Sequence, residues 1–389
     1  MSVPMCQPDI TAAEREAVLD VLGTSVLALG PKLDEFERAL AAFVGRRHGI
    51  GVNSGTSGLH VCMIAAGVEE GDIVLTTPFS FVASANSILY QRARPEFVDI
   101  EPHSLGIDPT ALRERVRELV ARGERVKAIL PVHVFGQPCD MDPILAVAQE
   151  HGLAVIEDAC EAIGGTYKGR AVGSMGNAAV FAFYPNKQMT TGEGGMIVVD
   201  DDDWSVLCQS LRNQGRDVFD GWLEHSRLGF NYRLDEMSAA LGLVQLRRLE
   251  ELLAGRARAA GWYDERLRDV PGVTLPTVAP WTTKMSWFVY VVRLDSRSER
   301  DRVIQDLGGR GIAARPYFPP IHLQSFYRER FGFRRGQFPA TEEAGDRCLA
   351  LPFFSTMRES QVDEVCDALR EILADASWGT AAAPSRAVG

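Results

Sequence analysis

The sequence has no apolar run long enough to cross a bilayer, and its first residues lack a basic segment followed by an apolar one. A membrane span needs about 20 consecutive apolar residues. A secretory signal needs a charged region ahead of its apolar core. We therefore predict a cytoplasmic protein that has no membrane partner.

Cysteine is sparse, with seven scattered residues in a chain of 389. Their number is odd, and no two have the spacing of a Cys-x-x-Cys ligand pair. A disulfide framework and a structural zinc site are therefore not expected. This usage is typical of a reduced compartment, and we predict no metal.

Positive charge is in deficit, because Lys and Arg total 41 against 52 for Asp and Glu, which leaves a formal net charge of −11. An acidic surface repels phosphodiester backbones, so nucleic acid is not a predicted partner. The usual nucleotide-binding loops, Walker A and GxGxxG, are also missing. The hydrophobic share of 46% and the charged share of 24% are those of a globular protein.

Short apolar strands alternate with helical segments through the first 200 or so residues. This order predicts an α/β fold, in which helices cover both faces of a mostly parallel mixed sheet. A single long helix is predicted at 235–253. The predicted strands are 48–52, 73–75, 96–99, 128–132, 154–157, 178–183 and 195–199.

The pattern changes after about residue 255, where strands become rarer and aromatic. We predict a three-layer α/β/α large domain at 1–255 and a smaller α+β domain at 256–376. The first 25 or so residues are expected to pack on the small domain. The last segment, 377–389, is rich in Ala, Pro, Ser and Gly, and it is predicted to be a disordered tail.

Three features of the large domain are candidates for chemistry. The small residues of segment 54–58 (SGTSG) stand between a strand and a helix, where they could hold a phosphate or simply cap the helix. Asp158 ends a strand, where a carboxylate can pair with a protonated ring nitrogen or cap a turn. Lys187 follows an apolar strand, where it could be a partly desolvated nucleophile or a surface lysine.

The order of these features favours one cofactor. Pyridoxal 5'-phosphate (PLP) requires a phosphate anchor, an acid opposite its pyridine nitrogen, and a lysine that bonds to its aldehyde carbon. Segment 54–58, Asp158 and Lys187 supply these in that order. The sequence therefore predicts a PLP enzyme.

From about residue 5 to residue 375 the sequence resembles the DegT/StrS-type PLP-dependent sugar aminotransferases, which have PLP fold type I. Several matching strings in the right order are far more specific than any one of them. The matching segments are 53–59 (NSGTSGL), 78–86 (PFSFVASAN), 131–133 (PVH), 135–138 (FGQP), 157–160 (EDAC), 183–187 (FYPNK), 211–215 (LRNQG) and 229–234 (GFNYRL).

The resemblance implies a role for individual residues. Lys187 corresponds to the lysine that binds the cofactor covalently and then carries protons, and Asp158 to the acid that keeps the pyridine nitrogen protonated. The other implied cofactor contacts are the amides of Gly55, Thr56 and Ser57 at the phosphate, Phe81 stacked on the ring, Glu161 near the phenolic oxygen, and Asn231 reaching the phosphate of a partner subunit.

The same resemblance implies a homodimer with shared active sites. It also makes Tyr317, His322 and Arg233 candidates for substrate contacts. One position departs from the family pattern, because many relatives carry Ser five residues before the lysine and this sequence has Ala182. The cofactor phosphate would then have one donor fewer.

The implied reaction transfers an amino group from glutamate or glutamine to a keto sugar, and we expect a nucleotide-linked 4-keto-6-deoxy sugar. Amination of a keto-inositol stays open as an alternative. A sugar deoxygenase is disfavoured, because such relatives have His in place of Lys187. A non-catalytic PLP-binding regulator would be supported by a DNA-binding module, and the sequence shows none.

Overall fold

The computed structural model describes residues 3–216 and 224–375, so the predicted tail at 377–389 lies outside the described residues. The helices are α1 Ala12–Leu22, α2 Pro31–Val44, α3 Gly55–Ala65, α4 Ala83–Leu89, α5 Pro109–Ala121, α6 Met141–His151, α7 Asp202–Arg212, α8 Glu236–Arg247, α9 Leu249–Leu267, α10 Arg297–Gly309, α11 Ser325–Phe331, α12 Pro339–Arg347 and α13 Glu359–Ala374. The strands are β1 His48–Val52, β2 Ile73–Thr76, β3 Arg94–Phe97, β4 Val126–Ile129, β5 Ala154–Asp158, β6 Thr166–Tyr167, β7 Arg170–Ala171, β8 Ala178–Ala182, β9 Gly195–Val199, β10 Thr282–Lys284, β11 Tyr290–Arg293 and β12 Cys348–Leu351.

A seven-stranded sheet forms the centre of the large domain, with the strand order β1-β9-β8-β5-β4-β2-β3. The β3-β2-β4-β5-β8 pairs are parallel, and β9 runs antiparallel to both β8 and β1. The predicted α/β fold with a mostly parallel mixed sheet is therefore confirmed. Because β1 and β8 both run antiparallel to β9, β1 points in the same direction as the parallel strands. The carboxyl ends of β1, β2, β5 and β8 therefore meet at one edge of the sheet.

Helices cover both faces of this sheet, as the alternation of side chains along each strand requires. On β8, Val180 packs into the cluster that holds residues of α3 and α7. Its neighbour Phe181 packs into the opposite cluster, which holds residues of α2 and α8. One strand thus contributes to two cores, and the domain has three layers.

The predicted single helix at 235–253 is wrong, because the chain forms two helices that meet at Arg248. Arg248 has φ −95° and ψ 1°, outside the helical region. Its guanidinium donates to Glu14 at 2.7 Å and to Asp9 at 2.9 Å. These partners lie more than 200 residues away in sequence, so the apolar periodicity that predicted a continuous helix carries no sign of them.

The proposed division at 255/256 falls inside α9. At the start of this helix, Leu252 packs into a core of the large domain. At its end, Tyr263 packs with β11, β12 and α13. The expectation for the N-terminus also needs refinement. We call the described residues from the end of α9 to 375 the C-terminal unit. Val3 pairs with Ile312 in this unit, whereas α1 packs against α8 of the large domain.

No helix in the described part of the chain is both long and apolar enough to cross a membrane. All seven cysteines are free thiols.

Candidate active site

A cavity of about 640 Å³ opens at the edge where the carboxyl ends of β1, β2, β5 and β8 meet. In open α/β sheets ligands bind at this edge. The C-terminal unit closes the cavity from the other side through the segment 316–319. Seven of the residues predicted from the sequence line this one space, namely Gly55, Thr56, Phe81, Asp158, Glu161, Lys187 and Tyr317.

The segment 54–58 is the first turn of α3. Ser54 is the N-cap, and its Oγ accepts the Ser57 amide at 3.1 Å, so the helix-cap alternative is also correct. First-turn amides have no acceptor within their own helix. Gly55 and Thr56 line the cavity, and their amides belong to this first turn. The Ser57 amide is engaged by the cap, so we no longer propose it as a phosphate donor.

Asp158 ends β5 and is 5% exposed. Its Oδ2 accepts the Ser84 hydroxyl at 2.7 Å, and Ser84 Oγ lies 2.7 Å from Ser80 Oγ. Its Oδ1 accepts the Cys160 amide at 3.3 Å. These donors orient the carboxylate at the cavity wall.

Lys187 follows β8, and its side chain is 13% exposed. Its Nζ lies 3.3 Å from Glu161 Oε1 and 3.9 Å from the centroid of the Phe288 ring. The other Glu161 oxygen accepts the Phe135 amide at 2.9 Å. Burial raises the pKa of Glu161, although Lys187 and the Phe135 amide oppose the shift. The amine therefore lies between a carboxyl group and an aromatic face.

Two aromatic side chains face the cavity from opposite units. Phe81 follows β2 and is 61% exposed, so a flat ligand ring can reach its face. Tyr317 belongs to the C-terminal unit, where its ring stacks on Phe318 at a centroid distance of 4.9 Å. Burial raises the pKa of Tyr317, which stays a hydroxyl donor at neutral pH.

The prediction that His322 contacts substrate is contradicted by its position. His322 is 0% exposed, its Nε2 pairs with Glu342 Oε1 at 3.0 Å, and its ring packs on Phe338. It does not line the cavity. The chain turns inward because the Ile321 amide donates to Pro78 O at 2.9 Å, which anchors this segment to the large domain. We withdraw His322 as a substrate contact.

Asn231 and Arg233 do not line the cavity of their own chain. Asn231 is exposed and forms an isolated bridge with Asn213, and Arg233 Nη1 donates to the Asn213 side chain at 3.1 Å. Within one chain, Asn231 therefore has no contact with the proposed cofactor cavity, and Arg233 has none with the proposed substrate cavity. Their predicted roles depend on a partner subunit.

Several lining residues were not predicted from the sequence. Ser84 lies within the matching segment 78–86, so its proximity to Asp158 had a signal that was overlooked. Phe288 gave none, because only the approach of the C-terminal unit brings its ring to Lys187. Polar and aromatic lining residues that were likewise not predicted include Ser80, Tyr184, Asn186, Glu193 and Gln324.

The donor set fits PLP. The amides of Gly55 and Thr56 suit a phosphate, the Asp158 carboxylate suits a protonated pyridine nitrogen, and the Lys187 amine can bond to an aldehyde carbon. All three groups border one cavity, whose volume lies in the range of small-molecule sites.

Comparison with known proteins agrees with the assignment of PLP as the cofactor. The model of the DegT/DnrJ/EryC1/StrS aminotransferase family matches residues 8–370. GDP-perosamine synthase of Caulobacter vibrioides is 40% identical over 375 residues, which cover 95% of this chain and 98% of that protein. DesV of S. venezuelae is 32% identical, with a TM-score of 0.87 over 98% of this chain and 99% of that one. A putative sugar aminotransferase of Streptococcus pneumoniae, in its PLP form, is 26% identical, with a TM-score of 0.87 over 95% and 98%.

The fold and the family match together define a PLP-dependent enzyme of fold type I. The chain belongs to the DegT/DnrJ/EryC1/StrS aminotransferase family, and it is a sugar aminotransferase. The predicted family, enzyme class and cofactor are thereby confirmed. The roles of individual residues stay predictions.

Proposed function

We propose that the protein transfers the amino group of glutamate or glutamine to the carbonyl carbon of a nucleotide-linked 4-keto-6-deoxy sugar. The donor leaves as its keto acid and the acceptor as an amino sugar. The observation that supports this most strongly is that Lys187, Asp158 and the N-terminus of α3 border one cavity. The name of the Caulobacter relative, GDP-perosamine synthase, supports a nucleotide-linked product.

In this proposal each residue has a defined task. PLP, when bound, supplies an aldehyde carbon that accepts amino groups and a ring that withdraws electrons. Lys187 Nζ would hold the cofactor through that carbon and, once the incoming amino group has displaced it, would move a proton to or from the substrate carbon. Asp158 would hold a proton on the pyridine nitrogen, and the amides of Gly55 and Thr56 would bind the phosphate.

The remaining lining residues would orient the cofactor and contact the substrate. Phe81 would cover one face of the ring, and Glu161 accepts a hydrogen bond from Lys187 Nζ, which keeps the amine at the cavity. We propose Tyr317 as the substrate contact of the C-terminal unit, because its hydroxyl stays protonated and it lines the cavity. Arg233 is kept as an anion contact from a partner subunit.

The proposal is tested by borohydride reduction of the purified protein, with peptide mapping of the fixed cofactor. We expect fixation at Lys187 in the wild type, none in Lys187→Ala, and normal fixation in the control Lys168→Ala, whose side chain pairs with Asp142 at the surface. Glutamate and then a panel of nucleotide-linked keto sugars should bleach and restore the visible band of the wild type. Fixation at another lysine, or bleaching without any accepted keto sugar, would contradict the proposal.

We propose further that the enzyme acts as a homodimer in which Asn231 reaches the partner's phosphate site. Asn231 is exposed and does not contribute to its own cavity. Large apolar side chains nearby in sequence and at the cavity rim are also exposed, with 86% for Leu228, 61% for Phe81 and 52% for Tyr184. Contiguous exposed apolar patches mark interfaces, so we expect a partner to cover these side chains. The free thiols support the cytoplasmic location that we include in the proposal.

Mixing two inactive variants tests the shared site. Lys187→Ala and Asn231→Ala are unfolded together and refolded, at a PLP concentration at which neither variant is active alone. In a mixed dimer one of the two sites has both residues, so random pairing should recover about one quarter of wild-type activity. No recovery, with dimers present by sedimentation, would show that each chain builds its own site.

A further inference from the structure

A buried arginine lies behind the proposed cofactor lysine. Arg256 is on α9, is 3% exposed and does not line the cavity. Its guanidinium lies 5.7 Å from the centroid of the Phe353 ring. Within the described residues no carboxylate pairs with it.

The acceptors of Arg256 are main-chain carbonyls from two separate segments. Nη2 donates to Lys187 O at 2.8 Å and to Asn186 O at 3.4 Å. Nη1 donates to Phe288 O at 2.8 Å and to Trp287 O at 3.5 Å. One planar group therefore joins the turn that carries Lys187 to the segment that carries Phe288.

Neither segment is held by regular secondary structure. Lys187 lies in a bend after β8, and Phe288 lies before β11. Buried carbonyls outside helices and sheets need other donors. The fixed fork of a guanidinium can serve two sets of carbonyls from two separate nitrogens, whereas an ammonium has all three donors on one nitrogen.

The two segments meet again on the cavity side. The Phe288 ring lies 3.9 Å from Lys187 Nζ. Burying a cation without a carboxylate is costly, and burial lowers the pKa of Arg256 to about 10, which still leaves it charged at neutral pH. The hydrogen bonds to the two segments offset that cost, so moving either segment would remove part of the compensation for the buried charge.

We propose that Arg256 is a positioning residue, which fixes the backbone of Lys187 and of Phe288 so that the lysine amine and the aromatic face meet at the cavity. This rests on the proposed role of Lys187. Arg256 touches neither cofactor nor substrate, so its effect should fall on the step in which Lys187 must reach the cofactor carbon. Cofactor binding through the phosphate and the pyridine nitrogen should be spared.

The test compares Arg256→Gln and Arg256→Lys with the matched control Arg300→Gln. Arg300 is 4% exposed and donates to two main-chain carbonyls at 3.1 Å, those of Gly345 and Cys348, away from the cavity. The apo forms are mixed with PLP, and the borohydride-fixed fraction at Lys187 is followed in time by peptide mass spectrometry. The Kd of pyridoxamine phosphate, which cannot bond to the lysine, is measured in parallel.

We expect Arg256→Gln to slow attachment by on the order of tenfold or more, because a small displacement of a reacting group has a large kinetic effect. Its Kd for pyridoxamine phosphate should stay within about twofold of the wild-type value, because sites that do not interact couple by no more than this. Arg256→Lys should be intermediate. Arg300→Gln should attach PLP at the wild-type rate even if its melting temperature falls.

Wild-type attachment rates in Arg256→Gln would overturn the inference, as would equal slowing in Arg300→Gln or a parallel loss of pyridoxamine phosphate binding. If Arg256→Gln does not fold, Arg256→Lys decides, and a wild-type rate there overturns the inference. If the wild type itself fixes no PLP at Lys187, the proposed function fails and this inference fails with it. Fixation in the wild type with no effect at Arg256 removes only the positioning role.

Discussion

Replacing Ala182 by Ser should tighten PLP binding through the phosphate alone. Ala182 ends β8 and lines the cavity. A Cβ placed on Gly55 would lie 2.8 Å from Ala182 Cβ, so a hydroxyl on Ala182 would stand beside the first turn of α3. That turn holds the amides of Gly55 and Thr56, which are our candidates for the phosphate donors.

The magnitude follows from one added hydrogen bond to a charged acceptor, about 1.5–3 kcal/mol. Each 1.4 kcal/mol is a factor of ten in Kd, so the Kd of PLP should fall by about 10- to 100-fold. The measurement is best made by calorimetry in the Lys187→Ala background, where covalent attachment cannot contribute. Ala171→Ser on β7, outside the cavity, is the matched control and should change nothing.

Pyridoxal, which lacks the phosphate, separates this explanation from a general improvement of the site. The gain of Ala182→Ser should vanish for pyridoxal. An equal gain for both ligands, or none for PLP, would refute the placement of the phosphate at the N-terminus of α3.

Two further predictions concern stability. Burial raises the pKa of Glu161, so the unfolded chain loses that proton at a lower pH than the folded one, and stability falls as pH rises between the two pKa values. Urea midpoints measured across this range should converge on, or fall below, those of Glu161→Gln as pH rises, and a pH-independent difference would contradict this. Gly55→Ala would place a Cβ 2.8 Å from Ala182 Cβ and from Cys160 Sγ, so it should cost about 1–3 kcal/mol of overpacking. Gly261→Ala on α9 meets nothing within 4 Å and should be neutral or stabilising by up to about 1 kcal/mol; equal melting temperatures for the two variants would argue against the clash.

Local pattern was enough to predict the large sheet. Strands β1 and β9 lie at the predicted residues 48–52 and 195–199, and the other five strands of the sheet overlap their predicted ranges. The alternation of strand and helix is a property of neighbouring residues, and buried parallel strands are apolar on both faces. The order of segment 54–58, Asp158 and Lys187 then indicated the cofactor, because chemistry limits which side chains PLP requires.

The sequence-based predictions that were wrong concern positions where residues distant in sequence meet. The break between α8 and α9 depends on ion pairs from the N-terminus to Arg248. The burial of His322 depends on its pairing with Glu342 and on the anchor at Pro78. In each case the local sequence also permits the conformation that we first predicted.

By itself, therefore, the sequence determined the fold class, the family resemblance, and most of the chemical groups that we propose for the cofactor, since these depend on residue type and local order. Only the tertiary structure decided which side chains surround Lys187. Phe288 and Arg256 come from beyond residue 250, and their contacts with the lysine turn exist only once the two units have packed together. Contacts between such distant segments leave no periodicity in the chain, because they are selected by the packing of the whole molecule.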